Sequence, residues 1–164
     1  MLAMTISDVH MVLLRAQITG EDGIAERARS RLTGPHAMDG FVELVHAAFI
    51  VAARRKFSPA WTRAQVIHFV AQVRGLLSER PHLVDPTLAE LELRRALGEN
   101  VSVQSDLATR ASVQFILLDA LTASLDLDGQ SVADLLDQAR TEATIRLALS
   151  ALVRRTSLLP PSRL

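Results

Sequence analysis

FVELVHAAFIVAA, residues 41–53, is the stretch that decides the fold of this chain. Eleven of its thirteen side chains are apolar, and only Glu43 and His46 are not. A helix that is apolar on nearly every side lacks the one-sided stripe of a surface helix, so protein has to surround it. It is also too short to cross a bilayer, which needs about 20 apolar residues. We therefore predict a central helix over about residues 38–57.

The segments that follow carry further helical patterns. Ser58-Pro59 favours a new helix, because Ser caps a helix and Pro suits its first position. Since the connection is so short, we expect a helix over about 59–78 to pack antiparallel against the central helix as a hairpin. Residues 106–155 predict a second long pair of helices, joined by the turn Asp126-Leu127-Asp128-Gly129.

The whole chain shows about six to seven helical patterns and no convincing strand. We predict an all-α, single-domain helical bundle over residues 1–156, followed by a flexible C-terminal tail at 157–164. A chain of 164 residues is long enough for one sizeable core, because folding at this size buries about 70% of the unfolded surface.

Composition and charge exclude several classes of function. The 18 basic and 18 acidic residues balance, so bulk charge gives no argument for binding nucleic acid or an anionic membrane. Cysteine is absent, which excludes disulfides, thiol catalysis and cysteine-ligated zinc and fits a reducing compartment. The first residues lack the pattern of a secretory signal. We expect a soluble, cytoplasmic protein with no membrane span.

Polar residues on the central helix form the first candidate site. Asp39, Glu43 and His46 are spaced i, i+4 and i+7, so they project from one side of the helix. Glu43 and His46 have the ExxH spacing of carboxylate-bridged di-metal bundles, and in the predicted hairpin His68 lies at a similar height. Such a site needs a second ExxH pair, and the only other one in the chain contains a proline. The alternative is a polar seam on an otherwise buried helix.

The second candidate site is the basic turn after the central helix, where aromatic residues are interleaved with cations. Such a pattern suits phosphate contact and base stacking, and Arg with Trp is also common in the hot spots of protein interfaces. The structural alternative is that basic residues at a helix C terminus complement its dipole. We expect a protein partner here before nucleic acid. The residues concerned are Arg54, Arg55, Lys56, Trp61 and Arg63.

The sequence contains none of the other common motifs of catalysis or cofactor binding. There is no Gly-rich phosphate loop, GxSxG elbow or HExxH, so we predict no catalytic residue and no cofactor. The segment from Ser105 to Leu125 superficially resembles the start of a helix-turn-helix. The segment in the position of the recognition helix is mostly apolar and has few polar groups that could contact the edges of bases, which argues against sequence-specific DNA binding.

We interpret the chain as a non-enzymatic helical protein–protein interaction module that self-associates as a dimer. The hairpin and the final helix pair each show wide apolar faces, more than a small monomer needs to bury. One face is therefore expected to pack against a second copy across a two-fold axis. The candidate interface residues in the final pair are Leu121, Leu125, Leu136 and Leu149.

Two alternative functions stay open from the sequence. One is a small-molecule-sensing or regulatory domain, whose apolar pocket is anchored by Glu43, His46 and His68. The other is a metal-binding helical bundle, which requires the nitrogens of His46 and His68 within about 5 Å of each other and an open coordination position. The interaction module instead predicts a filled core and an apolar surface for a partner.

Overall fold

The computed structural model describes residues 4–157. All of its regular structure is helical, and no strand occurs in that range, so the predicted all-α class is confirmed. A single 3-10 turn, Pro81–Leu83, lies between the fourth and fifth helices. The seven helices are α1 (Asp8–Thr19), α2 (Asp22–Arg31), α3 (Asp39–Lys56), α4 (Arg63–Leu76), α5 (Pro86–Ala96), α6 (Leu107–Leu125) and α7 (Gly129–Ser157).

The predicted domain limits fall partly outside this range. Residues 158–164 of the predicted tail lie outside the described residues, and Ser157 is the last residue of α7. Within the described range, α1, α5, α6 and α7 pack on α3, while α2 packs on α1 and α4 packs on α5. Their buried side chains form one hydrophobic core.

The central helix α3 is the axis of the bundle, as its apolar surface predicts. Ten of its 18 residues are buried. The helices α6 and α7 pack along it most extensively, and α1 and α5 cover the rest. Ala47, Ala48, Ala52 and Ala53 have no exposed surface, and such small side chains let the neighbouring helices approach closely.

The predicted hairpin between α3 and α4 is wrong. The helix α4 begins only at Arg63, after the capping box formed by Thr62 and Gln65, and it packs on α5 and not along α3. Its contact with the end of α3 runs through the edge-to-face rings of Phe57 and Phe69, whose centroids are 5.7 Å apart. The physical reason is that α1, α5, α6 and α7 already cover the surface of α3.

The long helices α6 and α7 have the predicted positions in the chain but do not pack along each other. They lie against different parts of α3, because each turns its buried apolar stripe towards that helix. The turn that joins them agrees with its sequence. Asp126 adopts a left-handed conformation with φ of 49°, and Oδ1 of Asp128 accepts a hydrogen bond from the backbone nitrogen of Ser131 at 2.7 Å.

The close approach of α1 to α3 makes a prediction at Gly40. A Cβ atom at this position would lie 2.6 Å from the backbone oxygen of Thr5 and 2.7 Å from Cε1 of the buried His10. We expect Gly40→Ala to lower the free energy of unfolding by about 1–3 kcal/mol, because the packed backbone has to shift. Urea melts followed by circular dichroism measure the change.

The matched control is Gly75→Ala in α4, where an added Cβ meets nothing within 4 Å. This change should raise the free energy of unfolding by up to about 1 kcal/mol, because Gly is a poor helix former. If both variants proved equally stable, the tight contact between α1 and α3 would be wrong.

Candidate functional site

A chain of polar side chains crosses the core between α3, α6 and α5. Nδ1 of His46 lies 2.8 Å from Oε1 of Gln114, and Nε2 of Gln114 donates to Oε2 of Glu92 at 2.9 Å. Because an amide oxygen only accepts hydrogen bonds, Nδ1 of His46 has to be the donor. Neutral His46 therefore carries its proton on Nδ1 and a lone pair on Nε2. Arg110 donates to the other carboxylate oxygen of Glu92.

Burial makes this polar network important for folding. Glu92 is 1% exposed and Gln114 is 4% exposed, while the side chain of Arg110 is 20% exposed. A buried carboxylate is tolerated only when it is paired and hydrogen-bonded, and here Arg110 and Gln114 together meet that requirement. The network ties α5 and α6 to the central helix. We define the polar network as His46, Gln114, Glu92 and Arg110.

The environment of His46 controls its protonation. Burial lowers the pKa of its imidazole, and the nearby positive charge of Arg146 lowers it further. The hydrogen bond to Gln114 and the carboxylates of Glu43 and Glu92 oppose this shift without cancelling it. His46 is therefore neutral at neutral pH, and its uncharged Nδ1–H group is the donor that the network requires.

The structure does not assemble the predicted metal or ligand site. His68 is exposed on α4, away from the half-buried His46, because the hairpin that was to bring them together does not form. Asp39 lies 3.0 Å from Nδ1 of His36 at the start of α3, and Glu43 is half-buried. Within the described part of the chain, no group of three or more His, Asp or Glu side chains is arranged to hold a metal ion.

Most side chains of the predicted basic site form contacts within the chain. Its three arginines contact neighbouring helices, a role that the sequence did not indicate. Trp61 is half-buried against the core, and Lys56 is exposed. The contacts run from Arg54 to the carbonyl oxygen of Ala96, from Arg55 to the amide oxygen of Gln138 and from Arg63 to the carboxylate of Glu90.

A groove on the described surface lies between α3 and α7, with a cavity volume of about 560 Å³. It is open to solvent and lined by the apolar Val51, by Arg54 and Arg55, and by Asp137 and Glu142 among other α7 residues. His46 and His68 do not line it. The groove is therefore a different place from the ligand pocket predicted on the central helix.

A cluster of exposed apolar side chains lies on the last part of α7. Ile145, Leu149, Leu152 and Val153 are 51%, 56%, 58% and 62% exposed. We call these four residues the α7 stripe. Ala143 is the last fully buried side chain of α7 among the described residues, and Arg146 and Leu147 are half-buried. The helix then continues for 10 residues, about 15 Å, past the core.

Of the predicted dimer-interface residues, only Leu149 belongs to the α7 stripe. Leu121 and Leu136 are 0% and 3% exposed, and they pack inside the core of one chain. Leu125 is half-buried at the end of α6. The prediction for Leu121 and Leu136 is therefore corrected, because a side chain that is already buried within its own chain is not available to a second copy.

The other members of the α7 stripe were missed from the sequence, although a signal for them was present. Ile145, Leu149 and Leu152 follow each other in steps of four and three, the spacing of one helix face. This face is rotated away from the stripe of Leu135, Ala139 and other residues that α7 buries. The periodicity of apolar residues alone does not show which of two apolar helix faces is buried against the rest of the protein.

Comparison with protein families, with curated proteins and with solved structures finds no match for this chain. Among the described residues, no helix is long and apolar enough to pass through a lipid bilayer. The described features that bear on function are the α7 stripe, the groove beside it and the polar network.

The lowered pKa of His46 predicts a pH dependence of stability. The unfolded chain takes up a proton at His46 more readily than the folded chain. The free energy of unfolding is therefore highest, as far as His46 is concerned, above a pH of about 6.5, and it decreases as the pH falls through the folded pKa of His46. We expect His46→Gln, which does not titrate, to lose less free energy of unfolding than the wild type between about pH 7 and pH 5. Urea melts at each pH measure this slope.

His68→Gln is the control for this comparison, since His68 is exposed on α4. It should keep the wild-type slope. Identical slopes for the wild type and His46→Gln would show that the burial of His46 is not coupled to folding.

The buried ion pair makes a separate prediction. Arg110→Met leaves the carboxylate of Glu92 buried without a cation and should lower the free energy of unfolding by about 3 kcal/mol or more. Adding Glu92→Gln removes the stranded charge, so the double variant should be more stable than Arg110→Met alone. Thermal and urea melts of the three proteins test this order. A double variant that is no more stable would rule out the buried charge as the cause.

Proposed function

We propose that this protein is a non-enzymatic protein–protein interaction module that self-associates through the α7 stripe. The supporting observation is that four large apolar side chains lie exposed within nine residues, on a helix that continues past the core. Single exposed apolar residues are normal on a soluble protein, but a contiguous patch marks an interaction site. The groove between α3 and α7 lies next to this patch along the same helix.

The spacing of the stripe favours a helix as the partner element. Ile145, Leu149 and Leu152 form the seam of apolar residues, in steps of four and three, that one helix presents to another in a coiled coil. Val153 widens the seam on one side. A second copy of this chain supplies such a helix, and a two-fold dimer needs only one self-complementary surface.

The small size of the stripe sets the expected strength of association. A standard stable interface uses about 20–30 residues from each partner, whereas the stripe offers four large apolar side chains. Area does not convert directly into affinity, since association also costs translational and rotational freedom. We expect a reversible dimer with a Kd in the micromolar range.

Light scattering coupled to gel filtration tests this function. The mass of the wild type should rise from 17.9 kDa towards twice that value as its concentration is raised. Leu149→Glu should keep the monomer mass at every concentration, because a carboxylate in the seam would have to lose its water. This change should leave the fold intact, since the Leu149 side chain is 56% exposed.

The control is Leu76→Glu, at a leucine that is 79% exposed at the end of α4 and outside the stripe. This variant should dimerise like the wild type. A wild type that stays at the monomer mass up to a concentration of about 1 mM would overturn self-association.

A further inference from the structure

We infer that the two copies pair as antiparallel helices, with the two-fold axis midway between Ile145 and Leu149, so that each copy's α7 ends over the other's α3–α7 groove. This inference rests on the proposed self-association and adds its direction and register. It follows from three features of α7: the order of its apolar residues, the charges at the two ends of the stripe and the position of the groove.

Two of the four apolar residues of the stripe, Ile145 and Leu149, match each other in this register. With the axis midway between them, Ile145 of each copy lies at the height of Leu149 of the other copy, and this contact occurs twice. Apolar residues that follow each other in alternating steps of four and three residues lie on alternate sides of a coiled-coil seam, so Ile145 and Leu149 lie on opposite sides of it. Their side chains therefore meet side by side and do not collide head-on.

The charges favour the antiparallel direction. Glu142 lies at the N-terminal end of the stripe, while Arg154 and Arg155 follow its C-terminal end. In the antiparallel pair, Glu142 lies at the height of Leu152 of the other copy, and Arg155 of that copy is only about 4.5 Å further along the helix axis. A parallel pair would instead place the arginines of the two copies side by side, and like charges repel.

Glu142 is available for such a pair. It is half-buried and takes part in no ion pair or side-chain hydrogen bond within the described residues. The cations that share its groove, Arg54 and Arg55, already donate to oxygens of Ala96, Ser131 and Gln138. Because Glu142 forms no ion pair among the described residues, its carboxylate complements the basic end of a second α7.

The groove supplies further contact area in the same register. Its α7 lining includes Asp137, Gln138, Thr141 and Glu142, which are the heights that the last turns of the other copy reach. The overlap of the two helices then runs over residues 137–157, about 31 Å, and not only over the stripe. The open volume of about 560 Å³ has room for side chains of the arriving helix.

Cysteine cross-linking tests the register, because the chain has no cysteine of its own. Ile145→Cys and Leu149→Cys are prepared separately, one with a tag that changes its mass, then mixed and mildly oxidised. The antiparallel register predicts that the mixed disulfide dimer forms at least about fivefold faster than either homodimer, because a disulfide needs Cα atoms within about 7 Å. Leu76→Cys, at a more exposed position outside the stripe, measures random collision.

Each outcome has a defined meaning. Homodimers that form faster than the mixed dimer indicate a parallel pair and overturn this inference while self-association stands. A dimer mass by light scattering without cross-linking above the Leu76→Cys level also overturns it. A monomer mass for the wild type overturns the proposed function itself.

Charge reversal gives a second measurement that does not use oxidation. Glu142→Arg should raise the Kd of the dimer about tenfold, and adding Arg155→Glu should restore most of the affinity, because the pair is re-formed with opposite signs. Circular dichroism checks that each variant is folded. A double variant that binds as weakly as Glu142→Arg would overturn the pairing of these two residues.

Discussion

The rest of the structure depends on the need to bury α3 on every side. A helix with so little polar surface cannot face water, and four helices are used to enclose it. The two longest of them, α6 and α7, turn their apolar stripes to α3 and not to each other. Because α7 has 29 residues and α3 has 18, part of α7 extends past the helix that it covers. That part carries the α7 stripe.

The polar network has a different role from the apolar core. Apolar packing against α3 tolerates small rotations and shifts of a helix, whereas the hydrogen bonds from His46 through Gln114 to Glu92 are satisfied in only one arrangement. Replacing a buried ion pair by apolar residues often does not reduce stability, so the pair of Glu92 and Arg110 is better explained by specificity. The network fixes how α5 and α6 sit against the central helix.

Helix positions could be predicted from the sequence because their signals are local. Asp85 and Asp106 cap α5 and α6 with their own side chains, and the apolar run at 41–53 lies within α3. The partners of each helix could not be predicted, because a period shows which face is apolar and not which element covers it. For this reason the prediction of the hairpin was wrong, and so was the prediction that His68 lies beside His46. The polar network was missed because Glu92 and Gln114 are far apart in sequence.

The α7 stripe and the polar network are connected at the point where α7 leaves the core. Arg146 follows Ile145 of the stripe directly, it lies close enough to His46 to lower the pKa of that imidazole, and its buried Nε has no hydrogen-bond partner among the described residues. A protonated His46 would place a second positive charge beside this guanidinium. Neutral His46 therefore favours the docking of α7 on α3 at Arg146, and this docking positions the stripe relative to the groove.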